Sequence, residues 1–510
     1  MDTRIMRTQK HFPLTILPLC LFALLSSVMV FGEVTLPSVL ADHMVFQRNE
    51  PVHVWGNASA GEAVSVRFRG EVRNTTADEL GRWQVSLPPG AAGGPFAMQI
   101  QGTNSIVFSD VLVGDVWVAS GQSNMEFALK GAANADAELR SADHPRIRLF
   151  QVEKNSSDYA LEDVHAKTWA ACSADSAADF SAVAYFFARE IEQDQKVPVG
   201  IIESDWGGTP AEAWTSMRAI AVEASLMPLF AHWARETDQQ SADLLEWDRQ
   251  QKESDAARAA GKPEPKYPWH PELRSQKPSG LYNAMIAPLT PFPIRGVIWY
   301  QGESNTDPER APLYASLLQA MIRDWRTRWA VGDFPFLIVQ IANWNTSPDS
   351  MWPEVRNAER QTLSLRQTGL AVTIDIGDPV NIHPTDKQDV GKRLALAARA
   401  IAYGEQIEYS GPLYRQTVRE GSNLRILFDH AGSELVSKGG DLQGFEVAGS
   451  DRKFVPAKAR VDGATVVASS DSVPAPIYVR YGWAGNPQCN LYNADGLPAS
   501  PFESDSLTYP

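Results

Sequence analysis

Apolar residues in the middle of the chain form short, nearly continuous runs separated by stretches with helical periodicity. The runs cover residues 116–119, 197–202, 294–300, 334–341 and 371–376. Strands that are buried on both faces of a sheet have this composition. Between the runs, apolar side chains recur every three to four residues, as in residues 314–325 and 390–401. This alternation predicts an α/β domain with a doubly wound parallel sheet over residues 111–404.

Strict alternation of apolar and polar residues, which is typical of half-buried strands, flanks this domain on both sides. On the amino-terminal side it predicts an all-β, sandwich-like domain over residues 33–110. On the carboxyl-terminal side it predicts a β-rich domain over residues 405–480.

Two further segments depart from these patterns. Residues 216–280 include a highly charged stretch, which is typical of a solvated face, so we expect a surface helix and loop that interrupt the α/β domain. Residues 481–510 are rich in Trp, Asn, Pro and Gly, and we expect this tail to pack on the central domain.

The first 32 residues have the pattern of a signal peptide. Basic residues Arg4, Arg7 and Lys10 precede an apolar run over 14–31, and small residues follow before Glu33. An uncleaved anchor helix is the alternative, but the run is at the short limit for a membrane span and contains a proline. We therefore expect a secreted or periplasmic protein without stable membrane insertion once the signal peptide is removed.

Charge and cysteine content exclude several classes of function. The formal net charge of −15 argues against a nucleic-acid partner, because an acidic surface repels phosphates. Beyond residue 32 only Cys172 and Cys489 remain, which is neither a disulfide framework nor a metal cluster. No spacing of metal ligands is evident, so we expect neither a metal nor another cofactor.

Reactive side chains follow the apolar runs at the positions where ligands bind in open α/β sheets. Ser123, in Gly121-Gln-Ser-Asn124, can be a nucleophile at the tip of a tight turn, although a serine there can also simply cap a helix. His383 follows the fifth run and can be the general base, because the pKa of histidine lies near neutrality. A structural histidine bonded to the backbone is the alternative.

An attacking serine also requires hydrogen-bond donors for the developing oxyanion. Gly207 or Gly208 can offer a backbone N–H at the start of a helix that residues 209–212 predict, and the Asn305 side chain can offer an amide. Each could instead be a turn residue. Together, however, four strand ends of one domain supply a nucleophile, donors and a base.

The order Ser123, Gly207 or Gly208, Asn305 and His383 resembles the four blocks of the SGNH hydrolases. Five motifs are similar to the sialate O-acetylesterase branch: residues 42–48, 121–125, 206–210, 299–305 and 382–384. The resemblance extends from about residue 34 to the carboxyl terminus. It implies an SGNH-type sheet, a serine acyl-enzyme mechanism, an O-acetylated carbohydrate as substrate, and no cofactor.

One position departs from the pattern of the SGNH hydrolases. Many of them have Asp three residues before the catalytic His, where this chain has Val380. Asp378 is the candidate for the orienting carboxylate, with Asp375 and Asp386 also near. A Ser–His dyad whose histidine is held by a backbone carbonyl is the alternative.

Four more residues are candidates for binding the substrate. Gln122, Gln301 and Glu303 belong to the similar motifs and are expected in the wall of the site, where Gln301 and Glu303 can hydrogen-bond the sugar or orient Asn305. Arg356 is a candidate for clamping a substrate carboxylate, or else an arginine on a helix surface.

The sequence therefore predicts a serine carboxylic-ester hydrolase that removes O-acetyl groups from sialic acid. An acetyl-xylan or other polysaccharide acetylesterase is the first alternative, because Gly-Gln-Ser-Asn-Met is also similar to those enzymes. A carbohydrate-binding protein on a hydrolase scaffold is the alternative from another class.

Overall fold

A computed structural model describes residues 33–267 and 270–504. The predicted signal peptide lies outside these residues. The strands are β1 Val45–Gln47, β2 Val52–Asn57, β3 Ala63–Phe68, β4 Glu71–Thr76, β5 Arg82–Leu87, β6 Gly93–Gln101, β7 Ser105–Gly121, β8 His144–Gln151, β9 Ala170–Cys172, β10 Val199–Asp205, β11 Gly296–Tyr300, β12 Phe336–Val339, β13 Thr368–Ala371, β14 Leu413–Glu420, β15 Asn423–Asp429, β16 Leu435–Ser437, β17 Phe445–Ala448, β18 Val455–Pro456, β19 Lys458–Asp462, β20 Thr465–Ser469, β21 Tyr478–Tyr481, β22 Leu491–Asn493 and β23 Phe502–Glu503. The α-helices are α1 Ser123–Glu126, α2 Ala135–Leu139, α3 Ala174–Ala178, α4 Ala182–Gln195, α5 Met217–Val222, α6 Met227–Ala259, α7 Leu273–Gln276, α8 Tyr314–Trp329, α9 Trp352–Gln361 and α10 Lys387–Ile401.

The central sheet has the strand order β13-β12-β11-β7-β10-β8-β9. All neighbours from β13 to β8 pair in parallel, and β9 closes the edge in antiparallel orientation. Strand β7 lies in the middle of this sheet. Strands β10, β8 and β9 lie on one side of it, and β11, β12 and β13 lie on the other. The predicted α/β class with a parallel sheet is thereby confirmed.

Two details of the predicted strands differ from the structure. The fifth strand occupies Thr368–Ala371, and the apolar residues 372–376 form irregular chain beyond its end. The parallel strand β8 is absent from the prediction because arginine and histidine residues break up its apolar run. Its inner residues Ile147–Gln151 pair with β10 and are mostly buried, so tertiary packing decides its conformation.

Helices cover both faces of the sheet and build two cores. On one face, α4 and α10 bury residues such as Phe187 and Leu394 against Trp117 of β7. On the other face, α8 buries Leu317 and Trp325 near Trp299 of β11. Each face of the sheet is therefore apolar, and this explains why its strands are continuous apolar runs.

Strand β7 connects the amino-terminal β region to the central sheet without a break. Its first part pairs antiparallel with β6 as far as Val113, and its second part pairs in parallel with β10 and β11 from Asp115 onward. The expected domain division at residue 110 thus falls within one strand. This continuity ties the β region rigidly to the element that ends at Gly121.

The remaining segments are the charged stretch and the carboxyl-terminal region. Residues 216–280 contain α6, a mostly exposed helix of 33 residues. The carboxyl-terminal region forms antiparallel sheets around a core of its own, and the tail contributes β22 and β23 to them. None of the helices within the described residues has an apolar stretch long enough to cross a membrane.

Candidate active site

The turn after β7 places Ser123 at the carboxyl edge of the sheet. Gly121 has φ +143°, and a Cβ there would lie 2.1 Å from the carbonyl oxygen of Tyr300 in β11. Only glycine therefore allows the ends of the two strands to come this close. Ser123 begins the short helix α1, so its own N–H lies outside the intrahelical hydrogen bonds.

The loop between β13 and α10 brings His383 to Ser123 from 260 residues away. The Nε2 atom of His383 lies 2.8 Å from the Oγ atom of Ser123, within hydrogen-bond distance. A nucleophile and a base need this contact for proton transfer. The two residues that the sequence ranked first are thus brought together.

The surroundings of His383 favour a neutral imidazole. Partial burial lowers the pKa of His383, nearby Lys387 lowers it further, and the Glu126 carboxylate raises it. The net pKa lies below the ordinary value of 6.5. At neutral pH the ring can therefore accept a proton from Ser123.

Asp378 does not fulfil the expected role of orienting the imidazole. Its Oδ1 atom accepts hydrogen bonds from the backbone N–H groups of Val380, at 2.9 Å, and Asn381, at 3.3 Å. Within residues 33–267 and 270–504, no carboxylate bonds the Nδ1 atom of His383. The correction has a local cause: a carboxylate two residues before an N–H group closes an Asx turn.

The alternative carboxylates, Asp375 and Asp386, are also occupied elsewhere. Asp375 pairs with Arg393, at 2.6 Å, and Asp386 caps α10 by accepting the N–H of Asp389 at 3.1 Å. None of these three aspartates is therefore placed to form a triad with His383, and within the described residues no backbone carbonyl bonds its Nδ1 atom in the way that the dyad alternative requires.

Gly207 lies directly beside the nucleophile. A Cβ at Gly207 would lie 3.2 Å from the Cβ of Ser123, and its N–H donates to Oε2 of Glu126 at 2.5 Å. The other oxygen of Glu126 accepts from Lys154, also at 2.5 Å. The predicted oxyanion donor is therefore next to Ser123, but a carboxylate occupies it in this structure.

The predicted helix after Gly208 is only a single 3-10 turn. It spans Ala211–Trp214, and the Thr209 hydroxyl donates to the carbonyl of Trp206 instead of capping it. An extended helix dipole is therefore not part of the oxyanion environment. Gly208 itself has φ +75° and lines the cleft.

Asn305 is not placed as an oxyanion donor. Its Nδ2 donates to Glu212 at 2.8 Å, and its Oδ1 accepts from the backbone of Ala211 and from the side chain of Gln301. The residue is fully buried and does not line the cleft. The expectation of an oxyanion donor is corrected, because the Nδ2 amide of Asn305 already donates to the buried carboxylate of Glu212.

Gln122 lines the cleft as expected, whereas Gln301, which was also expected in its wall, does not. The Oε1 atom of Gln122 receives N–H groups from Gln301 at 3.2 Å, Gly302 at 3.4 Å and Ser304 at 3.2 Å. Since Oε1 faces these three donors, the Nε2 amide of Gln122 is left for the cleft, which this residue lines. Gln301 is fully buried and supports Gln122 from behind.

Glu303 lines the cleft as expected, and it belongs to a buried network that the sequence did not reveal. Its Oε1 accepts from Asn124 at 2.7 Å, while Asn124 Oδ1 accepts from Lys387 at 2.5 Å. Burial raises the pKa of Glu303 and lowers that of Lys387 to about 7. Asn124 and Glu126 stand in the Ser123 motif, whereas Lys387 carries no sequence signal beyond its place after His383.

Arg356 does not clamp a substrate. Its guanidinium is fully buried and donates to four backbone carbonyls, those of Ile341, Ala342, Ala484 and Gly485. It therefore fastens the carboxyl-terminal tail to the central domain. Arg356 is therefore neither a substrate clamp nor a surface arginine. The tail that covers it is more than 120 residues away in sequence, so the neighbouring residues do not indicate its burial.

A cleft of about 930 Å³ opens over Ser123 and His383. Its remaining lining residues are Gln122, Glu126, Phe127, Lys154, Trp206, Gly207, Gly208, His270, Glu272, Glu303, Ser304, Thr306, Asp307, Arg310 and Ile382. Such a volume fits a small ligand or one end of a glycan. Fold and site together define an α/β protein with a hydrogen-bonded serine–histidine pair at the sheet edge, an arrangement found in ester hydrolases.

Comparison with known proteins gives the family. Residues 113–260 and 266–400 match the family described as carbohydrate esterase, sialic acid-specific acetylesterase. The chain belongs to this family of sialic acid-specific acetylesterases.

Relatives and a solved structure agree with the family. The sialate O-acetylesterase of Mus musculus is 32% identical, over 91% of this chain and 93% of the relative, and that of Homo sapiens is 30% identical, over 96% and 95%. A carbohydrate acetylesterase from Xanthomonas citri superposes with a TM-score of 0.81 and 40% identity, covering 93% of this chain and 100% of that one. The chain is thus a carbohydrate O-acetylesterase, a carboxylic-ester hydrolase, and the non-catalytic alternative is set aside.

Proposed function

We propose that the protein removes O-acetyl groups from sialic acids by a serine acyl-enzyme mechanism. The observation that carries the mechanism is the 2.8 Å contact between Ser123 Oγ and His383 Nε2 at the floor of the cleft. The names of the relatives, sialate O-acetylesterases, support the substrate.

In the first half of the reaction, His383 Nε2 takes the proton of Ser123 as Oγ attacks the acetyl carbonyl. The tetrahedral oxyanion then requires donors, which the N–H of Ser123, the N–H of Gly207 and the Nε2 amide of Gln122 can supply. Gly207 becomes available when the Glu126 carboxylate leaves its N–H. The imidazolium gives its proton to the departing sugar hydroxyl, and an acetyl-enzyme remains.

In the second half, water repeats the same steps. His383 accepts a proton from water, whose oxygen attacks the acetyl carbon. Acetate then leaves as the proton returns to Ser123. Because its lowered pKa keeps His383 neutral at neutral pH, the ring can accept the proton of Ser123 in the first half and of water in the second.

A neutral acetylated polysaccharide, such as acetylated xylan, is the second candidate substrate. Lys154 and Arg310 line the cleft, and both are already paired. Lys154 pairs with Glu126, and Arg310 pairs with Glu212 and Asp307. A sialate carboxylate would have to compete for one of these cations. Rates on acetylated sialic acid, on its methyl ester and on acetylated xylan would separate the two candidates.

The test of the mechanism is acetate release from an activated acetyl ester by wild type and Ser123→Ala. We expect the variant to fold normally and to lose activity by at least about 10⁴-fold. Equal activity of the two proteins would refute Ser123 as the nucleophile. Lack of wild-type activity on this ester and on acetylated sugars would refute the reaction itself.

We also propose that residues 1–32 direct export and are then removed. The basic start and the apolar run over 14–31 support this proposal. Amino-terminal sequencing of the exported protein tests it. A mature chain that begins near Glu33 agrees with the proposal, and one that retains Met1 contradicts it.

A further inference from the structure

One buried side chain connects the two segments that carry Ser123 and His383. Asn124 follows Ser123 in α1, and its Nδ2 donates to the carbonyl of Ile382, the residue before His383, at 3.0 Å. Asn124 is 1% exposed and lies behind the cleft lining. It therefore contacts the loop of the base without being placed to contact a substrate.

The orientation of this carboxamide is fixed by its neighbours. The Lys387 ammonium can only donate, so the atom of Asn124 that it meets at 2.5 Å is the oxygen Oδ1. The nitrogen Nδ2 must then face Ile382 and Glu303, whose Oε1 lies at 2.7 Å. Both amide hydrogens and the oxygen of Asn124 are in use, and a satisfied buried network of this kind is rigid.

Lys387 is an unusual partner because it is fully buried at the start of α10. Its ammonium lies over the rings of Phe127, at 4.9 Å, and Tyr300, at 5.3 Å. Glu303 and Asp386 are the carboxylates that favour its charge, and burial opposes it. At pH values below about 7 the lysine carries its charge into the site.

The same ammonium acts on the imidazole. Two charged groups change the pKa of His383: Lys387 lowers it and Glu126 raises it. Glu126 is in turn paired with Lys154, and the Asp378 carboxylate is bound to its own loop. Lys387 thus favours the unprotonated base, against the effect of the Glu126 carboxylate.

We propose that Asn124, oriented by Lys387, is a positioning residue that holds the His383 loop against the nucleophile turn. It supplies only the positioning that a carboxylate gives in a Ser-His-Asp triad, and it does so through the backbone carbonyl of Ile382 and not through the imidazole. The inference rests on the proposed roles of Ser123 and His383. It adds to them the means by which two distant loops keep a 2.8 Å contact.

The first test is Asn124→Asp, which preserves the shape of the side chain and removes both donors. As an anion, the new carboxylate can still accept from Lys387 but cannot donate to the carbonyl of Ile382 or to Glu303. A matched control is Asn493→Asp in the carboxyl-terminal region. Asn493 is also 1% exposed, and its Nδ2 likewise joins two segments, by donating to the carbonyls of Ser410 and His430.

We expect kcat of Asn124→Asp to fall about 100-fold with KM within about threefold, because a misplaced base costs turnover and not binding. The rate at which an organophosphate modifies Ser123 should fall by the same factor. Asn493→Asp should lose thermal stability and keep both rates. Wild-type values of both rates in folded Asn124→Asp would overturn the inference.

Lys387→Met supplies a second route if Asn124→Asp does not fold. Removing the ammonium frees the Asn124 carboxamide to turn and stops opposing the imidazolium. We therefore expect a lower kcat and an acidic limb of kcat/KM that moves to higher pH, since this limb reports the pKa of the free enzyme's base. Wild-type kcat with an unmoved limb would overturn the inference.

Failure of this inference can be told apart from failure of the mechanism. If Ser123→Ala retains activity, the proposed mechanism is wrong and the positioning role with it. If Ser123→Ala is inactive while folded Asn124→Asp and Lys387→Met match wild type, only the positioning role is wrong.

Discussion

Two polar clusters stand side by side at the carboxyl edge of the sheet, and only one of them is open. The first contains Ser123 and His383, whose contact lies at the floor of the cleft. The second contains Gln301, Asn305 and Glu212, which bond one another and are fully buried. Both clusters consist of residue types used in catalysis, and both follow strands of the same sheet.

The difference between the clusters is whether their hydrogen-bonding capacity is already used. Both polar atoms of the Asn305 side chain have protein partners, and the side chain is buried outside the cleft lining, so it is not presented to a substrate. Ser123 and His383 bond each other and face solvent. A buried and satisfied polar group supports a site, whereas an exposed pair performs the chemistry.

The largest expected effect is that of His383→Ala. Without the base, Ser123 keeps its proton, so kcat should fall by about 10⁴-fold with the fold retained. His430→Ala is a matched control, because His430 pairs with Glu408 in the carboxyl-terminal region. Substantial activity of His383→Ala would show that the open cluster is not the reacting one.

Arg356→Met should have the largest effect on stability. It leaves four carbonyls without their donor, and each unpaired buried group costs about 1–3 kcal/mol. We expect the free energy of unfolding, from urea denaturation, to fall by at least about 3 kcal/mol. KM for acetylated sialic acid should equal that of wild type at a temperature where both proteins are folded. A KM that rises for acetylated sialic acid and not for its methyl ester would show that Arg356 binds the substrate carboxylate.

Asn305→Ala sharpens the comparison between the clusters. It leaves the buried Glu212 without the amide, so the free energy of unfolding should fall by about 2 kcal/mol. We expect kcat to change by less than about tenfold. Loss of an oxyanion donor would instead lower kcat by about 10²–10³-fold, and that result would place Asn305 in the reacting cluster.

Asp378→Asn should have the smallest effect. Asparagine keeps the Oδ1 atom that accepts the N–H groups of Val380 and Asn381, so the loop keeps its turn. We expect kcat within about tenfold of wild type. In a Ser-His-Asp triad the same change lowers kcat by about 10⁴-fold, so steady-state rates alone distinguish the two cases.

Much of this organisation is predictable from the sequence for a physical reason. Runs buried on both faces have to be apolar, so the parallel strands β7, β10, β11 and β12 are visible in the chain. The strand β8 is not visible, because its polar residues are compensated by partners distant in sequence, as Arg148 is by Asp110.

The active site, like the fold, is predictable from the sequence only in part. Ser123 and His383 could be found because their motifs carry reactive groups in the segments that follow β7 and β13. The roles of Asn305, Asp378 and Arg356 could not, because their partners depend on tertiary contacts. Arg356 meets a tail about 130 residues away, and no local pattern encodes that contact.

Peptide mapping after reaction with an organophosphate ester tests directly whether Ser123 is the nucleophile and His383 its base. We expect one stoichiometric adduct, on Ser123, that forms together with the loss of esterase activity and is greatly slowed in His383→Ala. Full inactivation with the adduct on another residue would refute these roles, as would persistent activity in a protein fully modified at Ser123.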